Sequence, residues 1–167
     1  MGAGTAACYR GDVLYSDDEG QSIVKKWTDF YKAHRGTLIQ PVVHLRRPNI
    51  QSWDGWMHVN PLTVRIGEKE NENVDVAVAM IFNPTPNDMT SNIFFPMYYT
   101  GIMSDGITHD HILVSVNEGD FVKVPLKYGG LRGGGVTVEM KLPETSIHSV
   151  VFRLDGGVQK KGLRSKN

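Results

Sequence analysis

The sequence predicts a mainly β fold: an antiparallel β-sandwich of about seven or eight strands, with one N-terminal amphipathic α-helix packed against it. Three observations predict this. A 3.6-residue apolar period is confined to positions 17–35. Beyond Gly36 the chain turns to short β-branched and aromatic runs. Turn-forming residues then recur about every ten positions, the spacing of an all-β domain.

The helix is the first element. Ser16-Asp17-Asp18-Glu19 reads as a capping box, with acids in the first turn to meet the helix dipole. Ile23, Val24, Trp27, Phe30 and Tyr31 fall on one face, while Lys25, Lys26, Asp29 and Lys32 take the other positions. His34 and Arg35 suit the C-terminal turn, and Gly36 supplies a stop. A helix from Asp17 to Arg35 follows.

The expected strands are Val42–Leu45, Trp56–Val59, Val74–Asn83, Ser91–Pro96, Ile112–Val116, Asp120–Leu126, Gly135–Leu142 and Ser146–Leu154. The run from Val74 to Phe82 changes from alternation to continuous apolarity, as a central strand does. Asn83-Pro84-Thr85-Pro86-Asn87-Asp88 is a turn, and Asn117-Glu118-Gly119-Asp120 joins two runs as a hairpin. Pro125 should end its strand or place it at an edge. The expected organisation is an N-terminal segment and helix over 1–36, a sandwich over 37–155 and a basic flexible tail over 156–167.

With 167 residues, 40 % hydrophobic and 22 % charged, the chain can bury one core. Its formal net charge is +0, which argues against a nucleic-acid partner, since such binders carry a basic excess. The single cysteine, Cys8, cannot form an internal disulfide. No apolar run reaches the ~20 residues of a membrane span, and residues 1–7 lack the charged and apolar regions of a signal peptide. A soluble chain of undetermined compartment is expected, with no membrane partner.

Several motifs lead to no chemistry. The glycines of Tyr128-Gly129-Gly130-Leu131-Arg132-Gly133-Gly134-Gly135 precede a strand, whereas phosphate loops open a helix; a long hairpin turn is the reading. His109 and His111 flank Asp110, but Cys8, His44 and His58 stand at no ligand spacing from them, so no metal is expected. No Gly-x-Ser-x-Gly elbow is present, and Cys8 reads as a small buried hydrophobe. Neither a cofactor nor a catalytic set follows.

The densest unusual stretch is residues 45–61, with Trp53, Trp56, Arg46, Arg47, Asp54 and His58. Aromatic faces stack on sugar rings, and Arg or Asp can bond hydroxyls. The plainer expectation is that Trp53 or Trp56 anchors the helix to the sandwich and that Arg46 and Asp54 form a buried pair. Tyr98 and Tyr99 are further candidates for a surface row of aromatics.

Together, Arg10-Gly11-Asp12-Val13-Leu14-Tyr15, the helix through Trp27 and Tyr31, His44-Leu45-Arg46-Arg47-Pro48 and the run from Trp53 to Pro61 carry a resemblance. Asn83-Pro84-Thr85 and Pro96-Met97-Tyr98-Tyr99-Thr100-Gly101 follow in order. Over about residues 8 to 154 the chain resembles the C-terminal end of (β/α)-barrel, α-galactosidase-like glycoside hydrolases, where a last barrel helix leads into an antiparallel β-sandwich. The resemblance implies an accessory sandwich supporting a barrel that this chain does not contain, within a parent glycoside hydrolase. It carries over no catalytic residue, because the paired carboxylates of such enzymes sit on earlier barrel strands. It places Tyr9, Arg10 and Asp12 at the border of a substrate cleft, to which Trp53 and Trp56 add as substrate-binding candidates. The partners it implies are carbohydrate and the missing barrel, or a second copy meeting the helix face of Trp27, Phe30 and Tyr31. The alternatives are a free-standing carbohydrate-binding module and a protein-interaction sandwich.

Overall fold

A computed structural model describes residues 18–61, 75–102, 109–129 and 133–154. The fold is mainly β, as expected. One helix, α1 (Asp18–Leu38), is followed by β1 (Val42–Arg46), β2 (Asp54–Val59), β3 (Asp75–Asn83) and β4 (Met89–Phe95). A short 3-10 turn, η1 (Met97–Thr100), leads to β5 (His111–Val116), β6 (Val122–Pro125), β7 (Lys127–Tyr128), β8 (Gly134–Leu142) and β9 (Ser146–Leu154). The strands form two antiparallel sheets, a larger one ordered β1-β2-β3-β9-β5-β6 and a smaller one ordered β4-β8-β7.

Three layers result: α1, the larger sheet, the smaller sheet. The alternation of a strand sends successive side chains to opposite faces. On β3, Ala77, Ala79 and Ile81 face the smaller sheet and join Met57, Ile93, Phe95, Val136, Leu142, Val150 and Phe152 in the main core. Val78 and Met80 face the helix and meet Phe30 and Val151. Both faces of β3 are covered, which explains its nearly continuous apolar sequence. Burying Phe30 there contributes about 2 kcal/mol.

α1 runs three residues beyond the expected stop. Gly36 does not end it: the helical ladder continues through the Ile39 N–H to the Arg35 carbonyl at 3.2 Å, and a tertiary bond from the Thr37 hydroxyl to the Asp75 carbonyl at 2.8 Å holds the last turn. The capping residues Ser16 and Asp17 lie outside the described residues. Pro125 ends β6, the outermost strand of the larger sheet, as its missing N–H requires. At the 117–120 hairpin both Asn117 (φ 53) and Glu118 (φ 62) are left-handed, and the Gly119 N–H bonds the Val116 carbonyl at 3.0 Å. These are the marks of a type I′ turn, whose twist suits a hairpin.

The Asn83 turn ties the two sheets together. The Asn83 amide lies 2.9 Å from the Asn87 carbonyl, 3.0 Å from that of Leu142 and 2.8 Å from that of Pro143. Its Oδ1 accepts from the Thr85 N–H and hydroxyl. The corner between β3 and β4 is thereby pinned to the β8–β9 hairpin.

Candidate functional site

The open side of the sandwich lies where β1, outermost in the larger sheet, runs near β4, outermost in the smaller one. A groove of about 370 Å³ occupies it, lined by Val43, His44, Leu45, Phe94, Pro96, Tyr98, Tyr99 and Gly133. Its most exposed aromatics are Tyr98 (56 %) and Tyr99 (52 %), whose rings meet edge to face at 5.6 Å.

The sequence builds this pair locally. Pro96 ends β4, and Gly101 (φ 85) closes η1 by donating its N–H to the Tyr98 carbonyl. With about three residues per 3-10 turn, Met97 and Thr100 share one side. Both are fully buried, and the Thr100 hydroxyl bonds the Met97 carbonyl at 2.6 Å. The two tyrosines between them are forced outward. Gly133 lets the Tyr98 ring lie against backbone: a Cβ there would come within 2.8 Å of Tyr98 Cδ2. The result is a concave surface of mixed polarity that carries two exposed phenol rings, able to stack on a flat apolar face and bond nearby polar groups.

The two tryptophans do not join this surface. Trp53 is 9 % exposed, belongs to the main core, and donates its indole N–H to the Ser91 hydroxyl at 2.9 Å. Trp56 packs on the opposite face of the larger sheet, beside Phe82 at 4.7 Å and within the layer under α1. Of the two, Trp56 is the helix anchor. Trp53 is almost wholly buried and Trp56 half buried, and neither lines the groove at Tyr98 and Tyr99.

The expected Arg46–Asp54 pair is also absent, for a geometric reason. His44 pairs with Trp56, but a bulge follows and Arg46 pairs with Gly55. Without the bulge, Arg46 would fall opposite Asp54. The extra residue turns Arg46 to the sandwich side, where its guanidinium carbon lies 5.4 Å from the centre of the Trp53 ring. Asp54 is left buried, and that burial raises its carboxyl pKa above the ordinary value.

Behind the larger sheet lies a hydrogen-bonded chain of polar side chains that the sequence did not disclose. Asp75 accepts from Arg153 Nε at 2.8 Å and lies 2.5 Å from His34 Nδ1. It fastens α1 to β3 and β9, with His34 also against the Phe30 ring at 4.5 Å. Arg153 covers the Phe121 ring at 4.4 Å. Two further buried histidines have lowered pKa values through burial. His58 has only the Gln40 carbonyl as an opposing influence. For His148, Lys26 adds to the lowering. His148 sits between the Asn117 amide and the Ser146 hydroxyl, each 2.9 Å away, which suits a neutral ring.

Tyr9, Arg10, Asp12 and Cys8 lie outside the described residues. His109 is buried while His111 is exposed on β5. Among the described residues no group of three His, Cys, Asp or Glu side chains could hold a metal ion. On either side of the glycine-rich segment β7 and β8 pair antiparallel, with Tyr128 opposite Gly134; residues 130–132 lie outside the described residues. Among the described residues no helix is long and apolar enough to cross a membrane. No protein-family model matches the chain, and no curated protein matches it closely enough to serve as a relative.

Proposed function

We propose that this chain is a carbohydrate-binding β-sandwich, the accessory domain of a glycoside-hydrolase-like protein, and that sugar is bound in the groove at Tyr98 and Tyr99. One observation carries the reading: two adjacent tyrosines are held half exposed at a concave surface of mixed polarity by a buried Met97–Thr100 footing. Soluble aromatic side chains are normally buried, and a rigid exposed pair at a groove suits stacking on a sugar ring at little entropic cost. The resemblance to sandwiches that follow glycosidase barrels supports carbohydrate as the ligand class.

The test is calorimetric titration of the full chain with neutral and acidic oligosaccharides. At least one should bind, and the Tyr98→Ala/Tyr99→Ala double variant should bind it at least tenfold more weakly. No binding across the panel, or binding that survives the double substitution, would sink the reading.

A second reading, support of a neighbouring barrel or of another copy through α1, is favoured by the Arg153–Asp75–His34 chain, which fixes the helix to the sandwich. It leaves Ile23 on α1 51 % exposed. Amide exchange in α1 should then be as slow as in β3, and Asp75→Ala should speed it selectively. Fast exchange of α1 in the unaltered chain would remove this support.

A further inference from the structure

We propose that the free edge of β4 pairs, antiparallel, with β4 of a second copy of this chain, so that two smaller sheets join into one across a two-fold axis. The proposal does not rest on the carbohydrate reading of the groove.

A strand at a sheet edge carries a row of unmade backbone hydrogen bonds, and proteins blunt such edges with bulges, charges, proline or shortness. Among the described residues the two sheets end on β1, β6, β4 and β7. β1 is broken by the bulge between His44 and Arg46 and carries that arginine. β6 carries Lys123 and ends on Pro125. β7 is two residues long, one of them Lys127. β4 has none of these devices: its seven residues hold neither charge nor proline, and its register with β8 is unbroken. From Met89 to Ile93, among the described residues, no backbone hydrogen bond is made on the side away from β8. The stretch is open to solvent, with Thr90 and Asn92 exposed and Met89 and Ser91 half-buried.

The occupant follows from the residues of that edge. With no charge on β4, a charged peptide finds nothing to select, whereas a second β4 meets no like charge. Antiparallel pairing about Ser91 sets Met89 of each copy opposite Ile93 of the other, apolar against apolar. On the outer face it sets Thr90 opposite Asn92, and the two-fold axis repeats that pair. A hydroxyl and a side-chain amide are mutual hydrogen-bond partners, so the strand is complementary to itself. The pairing also closes. The joined sheet ends at both sides on β7, too short to take another strand, while the bulge of β1 and the proline of β6 guard the larger sheet. Two copies result, and no longer array.

Sedimentation equilibrium of the full chain over a wide concentration range tests this. A reversible monomer–dimer equilibrium is expected. Thr90→Lys/Asn92→Lys sets like charges opposite each other at both outer pairs and should weaken the dimer at least tenfold. Thr90→Glu/Asn92→Glu should do the same, and mixing the two variants in equal amounts should restore a dimer. A monomer at every concentration overturns the proposal, as does a dimer that either double substitution leaves intact. Variants that stay monomeric when mixed overturn the register, and growth beyond two copies overturns the closure. Amide exchange needs no variant: raising the concentration of the unaltered chain should slow exchange between Met89 and Ile93 and leave α1 as it was. Slowing in α1 alone would move the contact to the helix and overturn the pairing of β4.

Discussion

The two ends of β4 are opposite kinds of place. At its start, the corner from Asn83 to Asp88 spends its polar groups on the protein itself: Asn83 is 1 % exposed, Thr85 is 6 % exposed, and Asp88 accepts from the Glu144 N–H. At its end, Pro96 leads into a turn that hides Met97 and Thr100 and holds two tyrosines out to solvent. Both ends turn on proline, yet one closes the sandwich and the other opens a groove. The difference teaches where this fold stores stability and where it keeps surface in reserve for a ligand.

The comparison breaks most readily at Asn83. Asn83→Ala removes the side-chain bonds to three carbonyls and to the Thr85 N–H and hydroxyl, and should lower unfolding free energy by about 3 kcal/mol. Urea denaturation measures this; a loss below about 1 kcal/mol would mean that solvent replaces the corner's bonds. A smaller effect should follow from acid. His58 and His148 have folded-state pKa values below the ordinary 6.5, so the unfolded chain binds more protons once pH falls past that value. Stability should therefore be level above about pH 7 and should fall as pH drops from about 6.5 to 5. Asp54 acts with the opposite sign, because a raised folded-state pKa relieves its burial penalty on acidification, over a window that opens at that raised value and closes below the ordinary 3.8. Thermal melting across this range checks the slope, and His148→Gln should flatten it. The smallest effect belongs to the groove: Tyr98→Ala and Tyr99→Ala should each change stability by no more than about 0.5 kcal/mol. A loss as large as that of Asn83→Ala would place Tyr98 and Tyr99 among the fold's supports and remove the contrast.

Much of this was legible in the sequence. Period and turn chemistry placed α1 and eight of the strands to within a few residues, because both signals are local. The two-residue β7 and η1 were missed; Pro96 and Gly101 bracket η1, and a short turn between them was the available signal. Which tryptophan faces the helix was not legible, since Trp53 and Trp56 are separated by the start of a strand whose register is set by β3. The Arg46–Asp54 expectation failed on one inserted residue, because a bulge is decided between strands and leaves no mark in either alone. The Asp75 chain was hidden for a similar reason: its members come from α1, β3 and β9 and meet only after folding.

The position of β9 carries a consequence for how the chain is made. It lies between β3 and β5 in the middle of the larger sheet, and Arg153 meets Asp75 across 78 positions of sequence. Until β9 has left the ribosome, β1-β2-β3 and β5-β6 are two separate ribbons, each with an unpaired flank. Such long-range closure is slow and leaves those flanks open to pairing with other nascent chains. A translational stop before Ser146 would leave the larger sheet in two halves, with no strand to join them.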